Sequence, residues 1–151
     1  MKTYKAGTYK VGSDISAGEY KLTATSSGYY CVYPDSSKSS ILENDNFTVV
    51  DYITVEDGQY LVVKDATFVA IADATPTSTL KSSGVYKVGY DCAAGEYKIT
   101  QVGSTLAYYC VYDNSTVDRD IVDNDNFENS DYVTVEDGEY LVINRATAEL
   151  S

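Results

Sequence analysis

An internal repeat constrains the fold of this 151-residue chain more than any other feature of its sequence. The segment YKVGSDISAGEYKLT, Tyr9 to Thr23, recurs as YKVGYDCAAGEYKIT, Tyr86 to Thr100. Further along, DYITVEDGQYLVV, Asp51 to Val63, recurs as DYVTVEDGEYLVI, Asp131 to Ile143. Self-similarity of this kind predicts one structural unit that the chain builds twice.

Shorter matches lie between these blocks, and they place the boundaries of the two copies. YYCVY occurs at Tyr29–Tyr33 and Tyr108–Tyr112, and NDNF occurs at Asn44–Phe47 and Asn124–Phe127. A Ser/Thr-rich stretch with one Pro separates the copies and is typical of a linker. We therefore predict copy 1 at residues 1–75, a linker at 76–83 and copy 2 at 84–151. Modules of this size hold small cores, so we expect the two repeats to pack against each other.

The local pattern favours strands throughout. Val, Ile, Thr and Tyr fill the apolar positions, turn signals recur at short intervals, and no window has sustained helical spacing of apolar residues. The sequence predicts an all-β fold made of two tandem copies of a small antiparallel β-sandwich or jelly-roll-like module. No segment has the ~20 apolar residues of a membrane helix, so no membrane insertion is expected. The residues after the basic start, Met1 to Lys5, include no apolar run, and we expect no signal peptide in the given chain.

The Asp57-Gly58 and Asp137-Gly138 pairs suggest hairpins, because Asp-Gly supplies the backbone of a tight two-residue turn. In this register four cross-strand pairs would form one core face: Val55 with Tyr60, Ile53 with Val62, Val135 with Tyr140, and Val133 with Val142. Glycines shared by both copies are interpreted as fold determinants: Gly12 and Gly89, Gly18 and Gly95, Gly58 and Gly138.

Composition narrows the classes of function. The chain has no His, which removes imidazole general-base catalysis. Its net charge of −12 argues against nucleic acid as a partner, since such affinity comes largely from Lys and Arg. Several carboxylates recur in both copies and could pair as in a hydrolase, but they adjoin turn motifs where exposed Asp and Glu are expected; in copy 1 they are Asp14, Glu19, Asp51, Glu56 and Asp57. We predict no enzyme activity, no catalytic residue and no cofactor.

Three cysteines, an odd number, argue against a closed disulfide framework. Cys31 and Cys110 occupy the same place in YYCVY, whereas Cys92 stands where copy 1 has Ile15. A thiol that replaces Ile behaves as a small core hydrophobe. We interpret all three as buried structural thiols.

Two features could bind a ligand. The acidic segments at 43–46 and 123–126 concentrate the oxygen groups that suit Ca²⁺, with Asp45, Asp123 and Asp125 as candidate ligands. They do not match an EF-hand, and the alternative is an Asx-rich turn leading into a strand. The tyrosines of YYCVY could stack on a glycan, and the candidates for this platform are Tyr29, Tyr33, Tyr108 and Tyr112. The alternative is core packing, because Tyr is also a favoured strand residue.

The blocks VGSDISAGEY, Val11 to Tyr20, and VGYDCAAGEY, Val88 to Tyr97, together with the TVEDG blocks, resemble an uncharacterised family. Its members are tandem β-rich modules of exported and surface proteins in Gram-positive bacteria, with a V-G-x-D-I-x-A-G-x-Y signature. The resemblance implies an extracellular or cell-surface location and assigns no functional residue. Cys92 departs from the signature, which has Ile there.

These observations favour a non-catalytic tandem module, structural or adhesive at the cell surface, with a glycan or a surface protein as partner. A glycan- or calcium-binding module is the alternative, and a hydrolase comes third. Residues 1–75 hold 6 basic and 10 acidic residues, whereas residues 76–151 hold 5 and 13. The excess acidity is concentrated in copy 2, in segments such as Asp118 to Asp125, which we predict to be loops where a partner would bind.

Overall fold

The computed structural model describes residues 2–151 and is all-β with antiparallel sheets, as the sequence predicts. The only helical element in this range is one turn of 3₁₀-helix at Ile71–Asp73. The strands are β1 (Gly7–Lys10), β2 (Gly18–Tyr33), β3 (Glu43–Val55), β4 (Tyr60–Lys64), β5 (Thr67–Ala70), β6 (Gly84–Lys87), β7 (Gly95–Gln101), β8 (Ala107–Tyr112), β9 (Ile121–Phe127), β10 (Ser130–Val135), β11 (Tyr140–Asn144) and β12 (Ala146–Leu150).

The chain divides into two compact units. Unit 1 runs up to Ala74 and includes the short segment Ser115–Asp118, and unit 2 holds Thr75–Asn114 and Arg119–Ser151. The segment 76–83, predicted as a linker, is part of unit 2. There the Thr77 N–H donates to Asp91 Oδ1 at 2.6 Å, and the Leu80 carbonyl accepts the Ala148 N–H at 2.9 Å.

Unit 1 contains one five-stranded sheet with the order β1-β4-β2-β3, and β5 also pairs with β2. Strand β2 is long enough to serve two groups of neighbours. Its first part, Tyr20 to Thr23, pairs with β5, and its last part, Tyr29 to Tyr33, pairs with β4. A register shift between Thr23 and Ser27 separates the two parts and bends the strand.

Unit 2 builds the same plan from two separate sheets, with the orders β10-β7-β12 and β6-β11-β8-β9. Strands β7 and β8 together correspond to β2, but the residues between them form a loop. Copy 2 has two extra residues here, since Thr100 to Tyr108 replaces Thr23 to Tyr29. The insertion therefore divides one long strand into two shorter ones.

The two most strongly repeated motifs meet in space. Val11 exchanges two backbone hydrogen bonds with the turn after β3: its N–H donates to the Gln59 carbonyl at 2.9 Å, and its carbonyl accepts the Gly58 N–H at 3.0 Å. A β-carbon on Gly12, whose φ is +96°, would lie 3.0 Å from Asp57 Oδ1. Only glycine combines this backbone conformation with so close an approach, and the same contacts recur around Val88 in unit 2.

The predicted hairpins at Asp57-Gly58 and Asp137-Gly138 are wrong. Strand β3 pairs with β2 and not with β4, so the pairs Val55 with Tyr60 and Ile53 with Val62 do not form. In unit 2, β10 and β11 belong to different sheets. The Asp-Gly turn is nevertheless present, because the Gln59 N–H donates to the Glu56 carbonyl at 3.1 Å. The turn passes the chain from one side of β2 to the other and docks onto the residues after β1.

Each unit has its own apolar core. In unit 1 the largest fully buried side chains include Tyr30, Phe68 and Ile53. In unit 2 the core draws on both sheets, with Ile99 and Val133 from one and Leu141 and Ile143 from the other. Burial of such apolar side chains is the main stabilising contribution to a fold of this size.

Candidate functional site

The tyrosines of the first YYCVY motif are divided between the two faces of β2. Tyr30 is fully buried in the core, whereas Tyr29 and Tyr33 lie half-buried on the opposite face, since side chains alternate along a strand. Cys31 lies between them on that face and is itself buried. The Asn44 side-chain amide donates to the Tyr29 hydroxyl at 3.2 Å, and Lys64 Nζ lies 5.9 Å from the centre of the Tyr29 ring.

Unit 2 repeats this face on β8. Tyr108 and Tyr112 are half-buried, and the Asn124 amide donates to the Tyr108 hydroxyl at 3.1 Å. The Arg119 guanidinium lies 4.2 Å from the centre of the Tyr112 ring, within the range of a cation–π contact. The guanidinium therefore occupies a ring face that a sugar would need, and the Tyr33 ring of unit 1 offers the better platform.

These phenols are neutral at physiological pH. The hydrogen bond with the Cys31 thiol raises the pKa of Tyr33 above its ordinary value of 10.0. Burial raises the pKa of Tyr108, and burial likewise raises the pKa of the Cys110 thiol beside it. Both faces thus present rings, hydroxyls and amides, which suit uncharged polar ligands.

The candidate calcium ligands lie on strands and not in turns, so the predicted Asx-rich turns at 43–46 and 123–126 are wrong. Asp45 belongs to β3 of unit 1, and Asp123 and Asp125 belong to β9 of unit 2. Asp123 Oδ2 accepts the Tyr109 hydroxyl at 3.0 Å. Within residues 2–151 no group of three or more His, Cys, Asp or Glu side chains could hold a metal ion. Calcium binding stays a prediction, which a thermal melt with calcium and with chelator tests.

The carboxylates that recur in both copies serve the backbone. Asp14 Oδ2 accepts the Lys10 N–H at 2.8 Å, and Asp91 Oδ2 accepts the Lys87 N–H at 2.7 Å. The buried Asp51 accepts the N–H of Tyr52 at 2.7 Å. A depression of about 540 Å³ in unit 1 contains a single carboxylate, Asp65, and therefore no acid–base pair; its other lining residues are Ala6, Thr23, Ala24, Thr25, Ala66 and Thr67.

Sequence reasoning missed a further surface, the outer edge of β9. Six consecutive residues of this strand, Ile121 to Asn126, are exposed, including the apolar Ile121 and Val122 at 52% and 54%. A signal for it was present, because an apolar pair precedes NDNF in both copies, Ile41-Leu42 in the first and Ile121-Val122 in the second. The predicted loop over Asp118 to Asp125 concealed it, since five of those eight residues belong to β9.

No helix in residues 2–151 is long and apolar enough to cross a membrane. Comparisons with protein-family models, with curated proteins and with solved structures found no match for this chain. The resemblance to the Gram-positive surface modules accordingly stays a prediction.

Proposed function

We propose that the chain is a non-catalytic tandem β-sandwich module that acts as a structural or adhesive element at the cell surface. The observation that carries this proposal is the use of the repeated residues. Gly12, Asp14 and Asp57 fix turns and backbone contacts, and their counterparts in unit 2 do the same. The residues that the two copies share therefore maintain a fold, as expected for a module whose shape is its function.

The sandwich architecture is supported by the distribution of the core. In unit 2, side chains from two separate sheets contribute to one apolar cluster. In unit 1, the bend in β2 gives the long strand two groups of partners, which correspond to the two sheets of unit 2. A bent strand that contributes to both layers of a sandwich is a common way to connect them.

Retention on isolated Gram-positive cell walls tests the proposal. The full chain, labelled with a fluorophore, is incubated with the walls at physiological salt beside an unrelated acidic protein of equal size. At least tenfold greater retention than this control is expected. Equal retention contradicts adhesion at the wall, and release of soluble wall fragments contradicts a non-catalytic role.

A glycan-binding module is a second candidate, and the half-buried tyrosine faces favour it. Tyr29 and Tyr33 present rings on one face of β2, beside the Asn44 amide that bonds the Tyr29 hydroxyl. Aromatic rings flanked by amides are the groups that bind neutral sugars, because the rings pack against C–H groups and the amides bond hydroxyls.

A glycan array with two variants tests this second candidate. Tyr33→Ala removes the ring of the more open face and should lower binding of any captured glycan at least tenfold. Tyr112→Ala is the matched control, since Arg119 already covers that ring, and it should change binding less than threefold. Equal losses in the two variants would contradict the assignment to the unit 1 face.

A further inference from the structure

Strand β9 differs from the other strands of unit 2 in its exposure. Its first six residues are exposed on both faces of the strand, whereas β8 beside it buries Ala107, Tyr109, Cys110 and Val111. A strand buried on neither face contributes little apolar area to the core. Its retention in the fold points to a use outside the core.

β9 is also an edge strand. It pairs with β8 from Ile121 to Phe127 and ends the order β6-β11-β8-β9, so within residues 2–151 no strand pairs with its other side. The outward backbone N–H and C=O groups of an edge strand are a template for a further strand. Proteins use such edges to bind extended peptides by main-chain hydrogen bonds.

The side chains of β9 specify what such a strand would contain. Asp123 and Asp125 lie two residues apart, so their carboxylates project from the same face at a spacing of about 6.8 Å. A strand with Lys or Arg at every second position has the same spacing and the opposite charge. Ile121 and Val122, exposed at one end, add an apolar contact for the same ligand.

We propose that the free edge of β9 binds an extended basic peptide segment, with alternating Lys or Arg, as an added strand. A second copy of this chain is the poorer occupant. Antiparallel pairing of β9 with itself, centred on Asn124, places Asp123 opposite Asp125, and like charges directly opposite are destabilising. Charge complementarity therefore selects a basic partner and opposes self-association.

The corresponding stretch of β3 is the lesser of the two edges. Its acidic residues, Glu43 and Asp45, are half-buried, whereas Asp123 and Asp125 are exposed. The inference goes beyond the proposed function, because it needs neither the tyrosine faces nor a location at the cell surface. Failure of the wall-retention experiment would leave it standing, and the reverse also holds.

Binding of a synthetic peptide to the full chain tests the proposal. The probe is a capped Thr-Lys-Val-Lys-Val-Lys-Thr peptide, measured by calorimetry at low salt and again at physiological salt. Two further peptides carry N-methyl groups on the odd or on the even residues, which removes alternate backbone donors and leaves the charge unchanged. One of these two should bind at least tenfold more weakly than the parent, because a strand presents only alternate N–H groups to its neighbour.

Two double variants of the chain complete the experiment. Asp123→Asn with Asp125→Asn should weaken binding at least fivefold at low salt, and Asn keeps an acceptor for the Tyr109 hydroxyl. Asp73→Asn with Glu149→Gln removes the same charge from exposed positions outside β9 and should change affinity less than twofold. Equal effects of the two variants, equal binding of all three peptides, or no binding at millimolar peptide would each overturn the proposal.

Discussion

At the scale of single residues, the repeat provides an internal comparison of solutions to the same backbone problem. Val49 in β3 and Asn129 before β10 occupy equivalent positions, and both have a left-handed backbone, with φ of +64° and +63°. Asn tolerates this conformation, whereas a β-branched residue is strained in it. Unit 1 therefore stores strain at a position where unit 2 does not.

Val49→Asn should stabilise the protein. We expect the free energy of unfolding of unit 1 to rise by about 0.5–1 kcal/mol, because relief of the left-handed strain exceeds the apolar contact that half-buried Val49 loses. Urea denaturation followed by circular dichroism measures the change. Asn129→Val is the reciprocal control and should destabilise; a lower stability of Val49→Asn would contradict the strain argument.

The three thiols should react in an order set by their burial. Cys31 and Cys110 are 0% and 1% exposed, whereas Cys92 is half-buried. Burial raises the pKa of the Cys92 thiol, and thiolate is the reactive form, so even this site should react slowly. With an aromatic disulfide reagent at pH 8 we expect one slow phase from Cys92, and two thiols that react only on unfolding.

Cys92→Ile, which places the residue of copy 1 at this position, is the matched control for thiol labelling. It should remove the first phase and leave the other two unchanged. Rapid labelling of Cys31 or Cys110 in the native variant would contradict their assignment as buried structural thiols.

At the scale of elements, a two-residue insertion changes the connectivity of the strands without changing the plan. In unit 1 the bend at Thr23 to Ser27 is absorbed as a register shift within β2. In unit 2 the longer segment leaves the sheet as a loop, in which Gly103 has a φ of +80°. Short insertions are tolerated where the backbone is already irregular, because few ladder hydrogen bonds are lost there.

Amide hydrogen exchange should separate β9 from β8. Amides of Tyr109 to Val111 should exchange slowest in unit 2, since β8 is buried and paired with strands on both sides. Amides at 121–126 should exchange at least a hundredfold faster, because opening this exposed edge costs little apolar burial. Equal protection of the two strands would show that β9 is held by more than its pairing with β8.

At the scale of the whole molecule, the many tyrosines connect stability to alkaline pH. Burial raises the pKa of Tyr20, Tyr86 and Tyr97, and for Tyr97 the value is about 12, against 10.0 for an unperturbed phenol. The hydroxyls of all three donate to backbone carbonyls four residues upstream, at 2.6–2.7 Å. The neutral phenol is thus part of the fold.

Stability should be constant from neutral pH to about pH 10 and then fall between about pH 10 and pH 12. In this window the unfolded chain loses phenol protons that the folded chain keeps, so a rise in pH favours unfolding. Urea midpoints measured from pH 8 to pH 12 check this. Tyr97→Phe lacks one such group, so its stability should be lower at pH 8 by about 1 kcal/mol, the value of one hydrogen bond, and should fall less steeply above pH 10.

The sequence by itself determined the fold class, the repeat and the role of glycines such as Gly12, because alternation, turn chemistry and self-similarity are properties of neighbouring residues. It indicated the tyrosines of both faces, but not that Arg119 covers the Tyr112 ring, which depends on a residue in the following loop. It gave the wrong partner for the strands joined by Asp57-Gly58, since a turn motif specifies a local bend and not which strands pair.

Only the tertiary structure decided which strands lie at an edge. The segment IVDNDNF of β9 has the composition of an acidic loop, and its pairing with β8 comes from contacts distant in sequence. Strand order is fixed by the joint burial of two faces, a nonlocal energy that no single segment carries. Local chemistry could therefore predict the strands and their turns, whereas the exposed edge became visible only when all of the strands were in place.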